Sequence, residues 1–196
     1  MADSLAPDVV RPLLRGRFGR EYRYAALCPS TQRLLASDDV EGTIAVAEEQ
    51  SEGRGRLGRA WQAPAGTSVL VSIVLLPSIE PSRLPELSLV AGGAIAEAIA
   101  EVTGLQPAIR FPNDVLIGGR KVAGILAEAS DGRVVLGIGV NANQTEDQLP
   151  ADAQTEPTSL RIELGQPVAR GPLLATILAH LERAYDAWVT GTSAYG

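Results

Sequence analysis

One lysine stands out among the basic residues of this 196-residue chain. Lysine and arginine together number 17, and Lys121 is the single lysine among them. A lysine ammonium is a compact charge with three freely directed donors, whereas an arginine guanidinium is a planar fork. A chain that uses arginine everywhere else therefore nominates Lys121 for chemistry that a guanidinium cannot supply. The alternative interpretation is a general bias toward arginine in which one lysine remains by chance.

A second candidate is a loop that combines glycine with arginine. Residues 53–61 read Gly-Arg-Gly-Arg-Leu-Gly-Arg-Ala-Trp. Glycine lets the backbone approach a ligand closely, and backbone N–H groups together with guanidinium forks suit phosphate or carboxylate oxygens. Trp61 adds a flat π surface that can stack on a purine. The segment predicts a loop that closes over an anion, and a flexible solvated loop is the alternative.

The same pattern occurs once more, as Arg-Gly-Arg-Phe-Gly-Arg at residues 15–20. The hexapeptide alone is therefore a weak signal. Only the copy at residues 54–59 joins two predicted strands and is followed closely by a tryptophan. For residues 15–20 we favour a solvated segment without a ligand.

A third cluster surrounds a predicted hairpin. Residues 110–114 read Arg-Phe-Pro-Asn-Asp, and Gly118-Gly119 is a strong turn signal before Lys121. Asn113 and Asp114 could face a nucleotide or a metal, although both residue types are also common in turns. Across a short hairpin, Lys121 can point back at this pair.

Composition narrows the possible functions. The formal net charge of −6 argues against general polyanion binding, and the 45% hydrophobic content is that of a globular domain. The single cysteine, Cys28, excludes an internal disulfide, and the N-terminus lacks a secretory signal pattern. We expect a cytoplasmic protein that binds neither nucleic acid nor membrane. Cys28 and the single histidine, His180, are interpreted as packing or surface residues, because neither has partners for a nucleophilic site.

Hydrophobic patterning predicts the elements that position these residues. Successive hairpins beside two long helices indicate an α+β fold, with a mixed, mostly antiparallel sheet and helices packed on one face. Ser30 and Thr31 are expected to cap a short helix. Strands are predicted at 21–28, 43–48, 67–76, 108–111, 115–117, 122–129 and 133–141. Helices are predicted at 84–102 and 172–189, and residues 144–158 are predicted to be a loop.

The ordered set of motifs resembles the biotin protein ligases, the family of holocarboxylase synthetases. The loop at 53–61, Arg-Phe-Pro-Asn-Asp-Val-Leu at 110–116, Gly-Arg-Lys-Val-Ala-Gly-Ile-Leu-Ala-Glu at 119–128 and Leu-Gly-Ile-Gly-Val-Asn at 136–141 carry the resemblance. It covers roughly residues 20–190. It implies the catalytic fold shared with class II aminoacyl-tRNA synthetases. It also implies a lead-in at 1–20, a catalytic domain at 21–190 and a tail at 191–196.

The resemblance also implies a two-step activity. Biotin is activated by ATP with Mg²⁺ as biotinyl-5'-AMP, and the biotinyl group is then transferred to a lysine of a biotin carboxyl carrier protein domain. Lys121, Arg54 and Arg56 match catalytic positions of the family. The implied biotin contacts are Ser30, Thr31, Gln32, Gln50, Gly53, Arg54, Lys121, Gly124 and Gly137. The implied ATP contacts are Arg54, Arg56, Arg59, Trp61, Asn113, Asp114, Lys121 and Asn141, and Asp114 is also the implied Mg²⁺ residue.

The chain departs from the family pattern at a few positions. Gln32 stands where asparagine is usual, and Arg110 and Phe111 stand where lysine and tryptophan are common. We expect neither the helix-turn-helix domain of repressor-type members nor the small C-terminal β-barrel domain, and a monomer or homodimer. Two other functions stay open: a protein that binds biotin or biotinyl-AMP with weak or no transfer, and a ligase of the same fold for lipoate or another carboxylate.

Overall fold

The computed structural model describes residues 3–151 and 153–192. This part of the chain contains seven strands and four α-helices. The strands are β1 (Tyr22–Cys28), β2 (Ile44–Gln50), β3 (Ser68–Leu75), β4 (Ala108–Arg110), β5 (Asp114–Ile117), β6 (Arg120–Ser130) and β7 (Arg133–Asn141). The helices are α1 (Pro7–Val10), α2 (Leu87–Thr103), α3 (Leu160–Leu164) and α4 (Arg170–Thr190).

The strands form one sheet in the order β1-β2-β3-β7-β6-β5-β4. The β1–β2 pair is parallel and the other pairs are antiparallel. Side chains alternate between the two faces of a strand. Val69 and Ile73 of β3, with Leu136 and Ile138 of β7, join the hydrophobic core beneath α2 and α4. The predicted mixed, mostly antiparallel α+β fold is confirmed, and the opposite face of the sheet is free to carry a site.

The first long helix begins later than predicted, because a proline lies just before it. The predicted helix at 84–102 begins instead at Leu87, after a 3-10 helix over Pro81–Glu86 that contains Pro85. Proline lacks the N–H that an α-helical hydrogen bond needs. At the other end, Gly104 takes a left-handed conformation with φ of 74° and ends α2.

Other predictions around short elements need correction. Ser30 occupies the position before a 3-10 turn (Thr31–Leu34), but its side chain makes no capping hydrogen bond. The sequence analysis did not predict α1 and α3, because helices of four and five residues are too short to show helical periodicity. Residues 5–18 of the predicted lead-in at 1–20 pack into the domain, because Leu5, Val10 and Phe18 are buried in its core. Of the predicted tail, positions 193–196 lie outside the described residues.

The first arginine-glycine repeat has a structural role. The backbone N–H groups of Arg17 and Phe18 donate to Glu182 Oε2 of α4 at 2.8 and 2.9 Å. The Arg17 guanidinium pairs with Asp186 and lies over the Phe18 ring. Residues 15–20 therefore fasten the N-terminal segment to α4, which makes them less solvated than predicted.

The remaining sequence candidates lie away from the sheet face. His180 on α4 contacts Glu97 and Glu101 of α2 through its two ring nitrogens, at 3.0 and 2.7 Å. Cys28 is buried, and burial raises the pKa of its thiol. Both are packing residues, as predicted. Within the described ranges, no helix has the length and apolarity required to cross a membrane.

A buried arginine ties the N-terminal segment and the start of α4 to the sheet. Arg170 at the start of α4 is 1% exposed. It donates to Asp3 Oδ2 at 2.8 Å, to Glu48 Oε2 at 2.7 Å and to the Ser68 carbonyl oxygen at 3.1 Å. Burial alone would raise the pKa of Glu48, but the Leu5 N–H and the Arg170 guanidinium outweigh burial and hold this pKa below its ordinary value.

We predict that Arg170→Met lowers the free energy of unfolding by about 3–5 kcal/mol, because Glu48 and Asp3 lose their buried partner. Thermal and urea unfolding measure this loss, and Arg161→Met removes an exposed arginine as the control.

The contribution of Glu48 to stability depends on pH. Because the pKa of Glu48 is lower in the folded protein than its ordinary value, the stabilisation by the ionised carboxylate is present above pH 4.5. It is lost as the pH falls through the pKa of the folded state. The difference between wild type and variant should therefore shrink in acid. Equal stability of both proteins at pH 7 would contradict this role.

Candidate ligand-binding site

Three glycines create a shelf on the sheet face opposite the helices. Gly124 of β6 pairs with Gly139 of β7, and Gly137 lies two residues further along β7. Because Ile138 faces the core, its neighbours Gly137 and Gly139 face the other side. The missing side chains allow other groups to approach the backbone of both strands closely. We call these three residues the glycine shelf.

A cavity of about 690 Å³ lies over the glycine shelf. Its wall includes nearly all residues that the sequence nominated. These residues come from strands β2, β5, β6 and β7, from residues 30–32, from the loop at 53–61 and from the turn before β5. They are Ser30, Thr31, Gln32, Gln50, Arg54, Arg56, Arg59, Trp61, Asn113, Asp114, Lys121, Gly124, Gly137 and Asn141. Gly53 lies outside the wall. A Cβ there would lie 2.3 Å from the Trp61 carbonyl oxygen, so Gly53 lets the loop close on itself.

Hydroxyl and amide groups line one end of the cavity. Gln50 Oε1 accepts hydrogen bonds from the Thr31 backbone N–H at 2.7 Å and the Thr31 hydroxyl at 3.1 Å. The Thr31 hydroxyl also lies 2.7 Å from Ser72 Oγ. With Oε1 occupied in this way, the Gln50 amide group is fixed in orientation. Ser30 and Gln32 complete this end.

The single lysine is held by an acidic residue on the neighbouring strand. Lys121 Nζ lies 2.6 Å from Asp114 Oδ1, and Arg110 Nη2 lies 2.6 Å from Asp114 Oδ2. Lys121 pairs through its backbone with the segment before α3, since its N–H donates to the Glu156 carbonyl oxygen at 2.7 Å. The prediction that the hairpin brings Lys121 back to Asp114 is confirmed. The ammonium is therefore held at the cavity wall by contacts within the protein.

The arginine-glycine loop folds over the cavity. Its two arms are joined by hydrogen bonds, from Gly55 N–H to the Arg59 carbonyl oxygen at 2.7 Å and from Trp61 N–H to the Gly53 carbonyl oxygen at 2.9 Å. Arg56 Nη1 donates to Asn113 Oδ1 at 3.3 Å, across the cavity mouth. This contact is exposed, and it joins the loop to the turn before β5.

Trp61 lies on the glycine shelf. A Cβ on Gly139 would lie 2.5 Å from the Trp61 ring, and a Cβ on Gly124 would lie 2.9 Å from it. Lys121 Nζ is 5.7 Å from the ring centroid, within cation–π range. The indole Nε1 is buried without a hydrogen-bond partner among the described residues. The indole therefore forms an aromatic wall beside the lysine and over the shelf.

Asn141 is fixed by residues that the sequence analysis missed. Its Nδ2 donates to the Thr158 carbonyl oxygen at 3.0 Å, and its Oδ1 accepts from Gln144 Nε2 at 3.0 Å. Gln144 Nε2 also donates to Ser68 Oγ at 2.6 Å. These partners lie in the core or in the predicted loop, so periodicity gives no signal for them.

The sequence analysis also missed Ser72 and the segment that contains Thr155. Ser72 holds Thr31, and its one available signal was a hydroxyl within the apolar strand β3. Thr155, in the segment predicted as a plain loop, accepts a hydrogen bond from Arg110. Other members of that segment also line the cavity: Pro150, Ala153, Gln154 and Pro157.

The cavity is strongly cationic in an acidic protein. Its described wall contains five basic residues, Arg54, Arg56, Arg59, Arg110 and Lys121, against one acidic residue, Asp114. Such a concentration of one sign attracts anions into a cleft. The site thus suits a ligand with carboxylate or phosphate groups.

The same residues fit a protein-held metal ion poorly. No group of three or more His, Cys, Asp or Glu side chains that could hold a metal occurs within residues 3–151 and 153–192. Both oxygens of Asp114 already contact cations. Binding of Mg²⁺ by Asp114 therefore stays a prediction. The contacts of Asp114 favour a different role, which is to position Lys121.

The fold and the site together define an α+β domain with a cationic cavity under an arginine-rich loop. Comparison with known proteins makes this class specific. Residues 24–144 match the model of the biotin/lipoate A/B protein ligase family. The chain belongs to this family.

Individual relatives agree with this assignment. The bifunctional ligase/repressor BirA of Bacillus subtilis is 36% identical over 181 residues, covering 88% of this chain and 56% of the relative. The biotin–[acetyl-CoA-carboxylase] ligase of Mycobacterium tuberculosis is 36% identical over 161 residues, covering 80% and 59%. The biotin protein ligase of Aquifex aeolicus, solved with biotin and ATP, superposes with a TM-score of 0.80 at 31% identity, covering 88% and 73%. The chain thus spans somewhat over half the length of these curated relatives.

We predict that Gly139→Ala moves Trp61 off the glycine shelf, because the added methyl group would lie 2.5 Å from the indole. In a Trp188→Phe background, Trp61 emission should shift to the red and become easier to quench with acrylamide. Gly93→Ala is the matched control, since its methyl group meets nothing closer than 3.9 Å. Emission unchanged in Gly139→Ala would show that the shelf does not seat the indole.

Proposed function

We propose that this chain is the catalytic core of an ATP-dependent biotin protein ligase. It activates biotin as biotinyl-5'-AMP and transfers the biotinyl group to a specific lysine of a biotin carboxyl carrier protein domain. The observation that carries the proposal is the Lys121 ammonium, held by Asp114 at 2.6 Å beside the glycine shelf. The similarity to biotin protein ligases, one of them solved with biotin and ATP, supports the choice of ligands.

The first step brings two anions together. A biotin carboxylate oxygen attacks the α-phosphorus of ATP, the bond from that phosphorus to the bridging oxygen breaks, and pyrophosphate leaves. Negative charge accumulates where the two groups meet, and a fixed cation there stabilises the transition state more than the separated reactants. Lys121 supplies this cation, and Arg54, Arg56 and Arg59 supply further positive charge from the loop.

The second step uses the mixed anhydride. The neutral amine of the acceptor lysine attacks the biotinyl carbonyl carbon, AMP leaves, and an amide forms with loss of a proton. Water competes with the amine for the same carbon. Loop closure through the Arg56 contact to Asn113 protects the anhydride until the acceptor arrives.

The cavity has room for both parts of the intermediate. We assign the biotin part to the hydroxyl end and the shelf, with contacts from Ser30, Thr31, Gln32, Gln50, Gly124 and Gly137. We assign the adenylate part to Trp61, Asn113 and Asn141. Since the described residues fit a protein-held metal poorly, Mg²⁺ is best treated as part of the nucleotide substrate, where it screens the triphosphate. The cytoplasm, where ATP and unmodified acceptors are available, stays our predicted location.

Two alternatives are separated by one experiment. The purified chain is incubated with ATP, Mg²⁺, biotin and a carrier domain, and both pyrophosphate and acceptor mass are measured. A ligase gives pyrophosphate and an acceptor heavier by one biotinyl group. A binder without transfer holds biotin in a calorimeter and leaves the acceptor unmodified. A lipoate-type ligase releases pyrophosphate with a different acid.

We predict that Lys121→Ala lowers biotin-dependent pyrophosphate exchange by at least about 10²–10³-fold, the usual effect of removing one group that stabilises a transition-state anion. The fold should persist, because the side chain lies at the cavity wall rather than in the core. Arg120→Ala is the matched control, since the adjacent arginine pairs with Glu163 away from the cavity. Full exchange activity in Lys121→Ala would remove this lysine from the mechanism.

We also predict that Arg56→Gly lets biotinyl-AMP escape, because the loop loses its contact with Asn113. Lysines of bystander proteins should then become labelled, as measured by mass spectrometry of a protein mixture. On the ligase itself, labelling should be confined to Lys121 and the N-terminal amine, since no other lysine exists. Acceptor specificity equal to wild type would count against loop closure.

A further inference from the structure

Two apolar side chains are unusually exposed at the mouth of the cavity. Leu57 and Phe111 are 85% and 73% exposed, the highest values for large hydrophobic side chains in the described part of the chain. Both line the cavity of about 690 Å³, and neither has a role in the steps above. A single exposed apolar residue is ordinary on a protein surface, but two at the opening of one cavity suggest a contact. We call Leu57 and Phe111 the rim pair.

The rim pair comes from two loops that meet. Leu57 follows Arg56, whose Nη1 donates to Asn113 Oδ1 at 3.3 Å. Phe111 lies two residues before Asn113, in the turn between β4 and β5. The Arg56 contact therefore joins the two loops at the cavity mouth, and the rim pair borders the place where they meet.

The backbone at Leu57 is strained. Its φ of 59° and ψ of 33° lie in the left-handed region, which favours glycine over a residue with a bulky side chain. A Cβ on the next residue, Gly58, would meet nothing within 4 Å, so the tip of the loop stands clear of the rest of the domain. The Leu57 side chain gains little packing that would offset this strain. Strain of this kind is concentrated at functional sites, which points to a contact with another molecule.

The transfer step determines which molecule touches the rim. The acceptor amine must reach the biotinyl carbonyl carbon beside Lys121, and a lysine side chain is too short to keep the protein that bears it away from the cavity mouth. The acceptor surface around the lysine therefore lies against the rim. Four arginines of the cavity wall favour an acceptor surface that is acidic near the lysine: Arg54, Arg56, Arg59 and Arg110.

We propose that the rim pair is the docking contact for the acceptor domain, and that this domain presents apolar side chains beside its target lysine. The inference rests on the proposed function. Apolar anchors that lose their water on docking carry most of the binding energy of an interface, whereas the surrounding charges mainly steer the encounter. The rim pair thus selects the acceptor in the second step and takes no part in the first.

The test uses Leu57→Asn and Phe111→Ser. Asparagine tolerates the left-handed region, so Leu57→Asn removes the apolar side chain and leaves the loop conformation in place. For each variant we expect the KM for a biotin carboxyl carrier protein domain to rise about 10-fold or more, the usual effect of truncating an interface anchor, with little change in kcat. Biotin-dependent pyrophosphate exchange should equal that of the wild type. Val40→Asn is the matched control, because Val40 is 60% exposed and does not line the cavity.

A small nucleophile separates docking from chemistry. Hydroxylamine attacks the biotinyl carbonyl carbon in place of the lysine, AMP leaves, and biotinyl hydroxamate forms with loss of a proton. Hydroxylamine makes no use of a docking surface, so both variants should form hydroxamate at the wild-type rate. If hydroxamate formation or pyrophosphate exchange falls in parallel with acceptor labelling, Leu57 and Phe111 act on the bound small molecules, and the proposal is overturned.

Variation of the acceptor tests whether the contact is direct. A carrier domain is prepared in which the apolar residues beside the target lysine are replaced by serine. With the wild-type ligase we expect its KM to rise, and with Leu57→Asn we expect a smaller further rise, because the contact is already lost. Two rises that multiply without coupling, in both rim variants, would overturn the assigned contact.

The outcomes also distinguish this proposal from the proposed function. If the wild-type protein biotinylates the carrier domain and both variants keep the wild-type KM, only the docking contact falls. If the wild-type protein releases no pyrophosphate with biotin, the proposed function falls and the docking proposal falls with it. If Phe111→Ser does not fold, as judged by circular dichroism, the kinetics of Leu57→Asn and Phe111→His decide.

Discussion

The site depends on the carboxylate of Asp114, which lies between two cations. One oxygen contacts Lys121 and the other contacts Arg110. The cavity gathers five basic side chains, and without this carboxylate the cluster would repel itself and the lysine would turn toward solvent. The β5–β6 hairpin is the element that sets the distance, since Asp114 opens β5 and Lys121 lies near the start of β6. A short turn thus fixes the central charge pair of the site.

The glycine shelf imposes the second constraint. A ligand can lie against the sheet because Gly124, Gly137 and Gly139 lack side chains, and Trp61 already uses part of that space. The same region contains two buried donors, Trp61 Nε1 and Gln32 Nε2, that have no hydrogen-bond partner among residues 3–151 and 153–192. A domain selected for stability alone would pair or remove such groups. Their concentration in the cavity is typical of a binding site, where stability is given up for ligand contacts.

The core and its buried arginine supply the rigidity that such a site needs. Arg170 joins the N-terminal segment, β2 and β3 at the start of α4. From β3, the Ser68 side chain contacts Gln144, which holds Asn141. The hydrogen bonds that secure the chain end therefore continue to the wall of the cavity. The orientation of Asn141 is consequently set by packing far from the ligand.

Much of the protein follows from local sequence. The seven strands, the two long helices and the hairpin that returns Lys121 to Asp114 were predictable, because alternation, helical spacing and Gly118-Gly119 are encoded by neighbouring residues. Apart from Gly53, the nominated site residues also line one cavity. Tertiary structure alone decided the rest. Ser72, Gln144 and Thr155 join the site, and the two similar arginine-glycine segments take different roles, because their partners are distant in sequence. Arg17 meets Glu182 and Asp186 on the last helix, whereas Arg56 meets Asn113 across a cavity. Periodicity reports which face a residue occupies, but it cannot report what lies opposite that face.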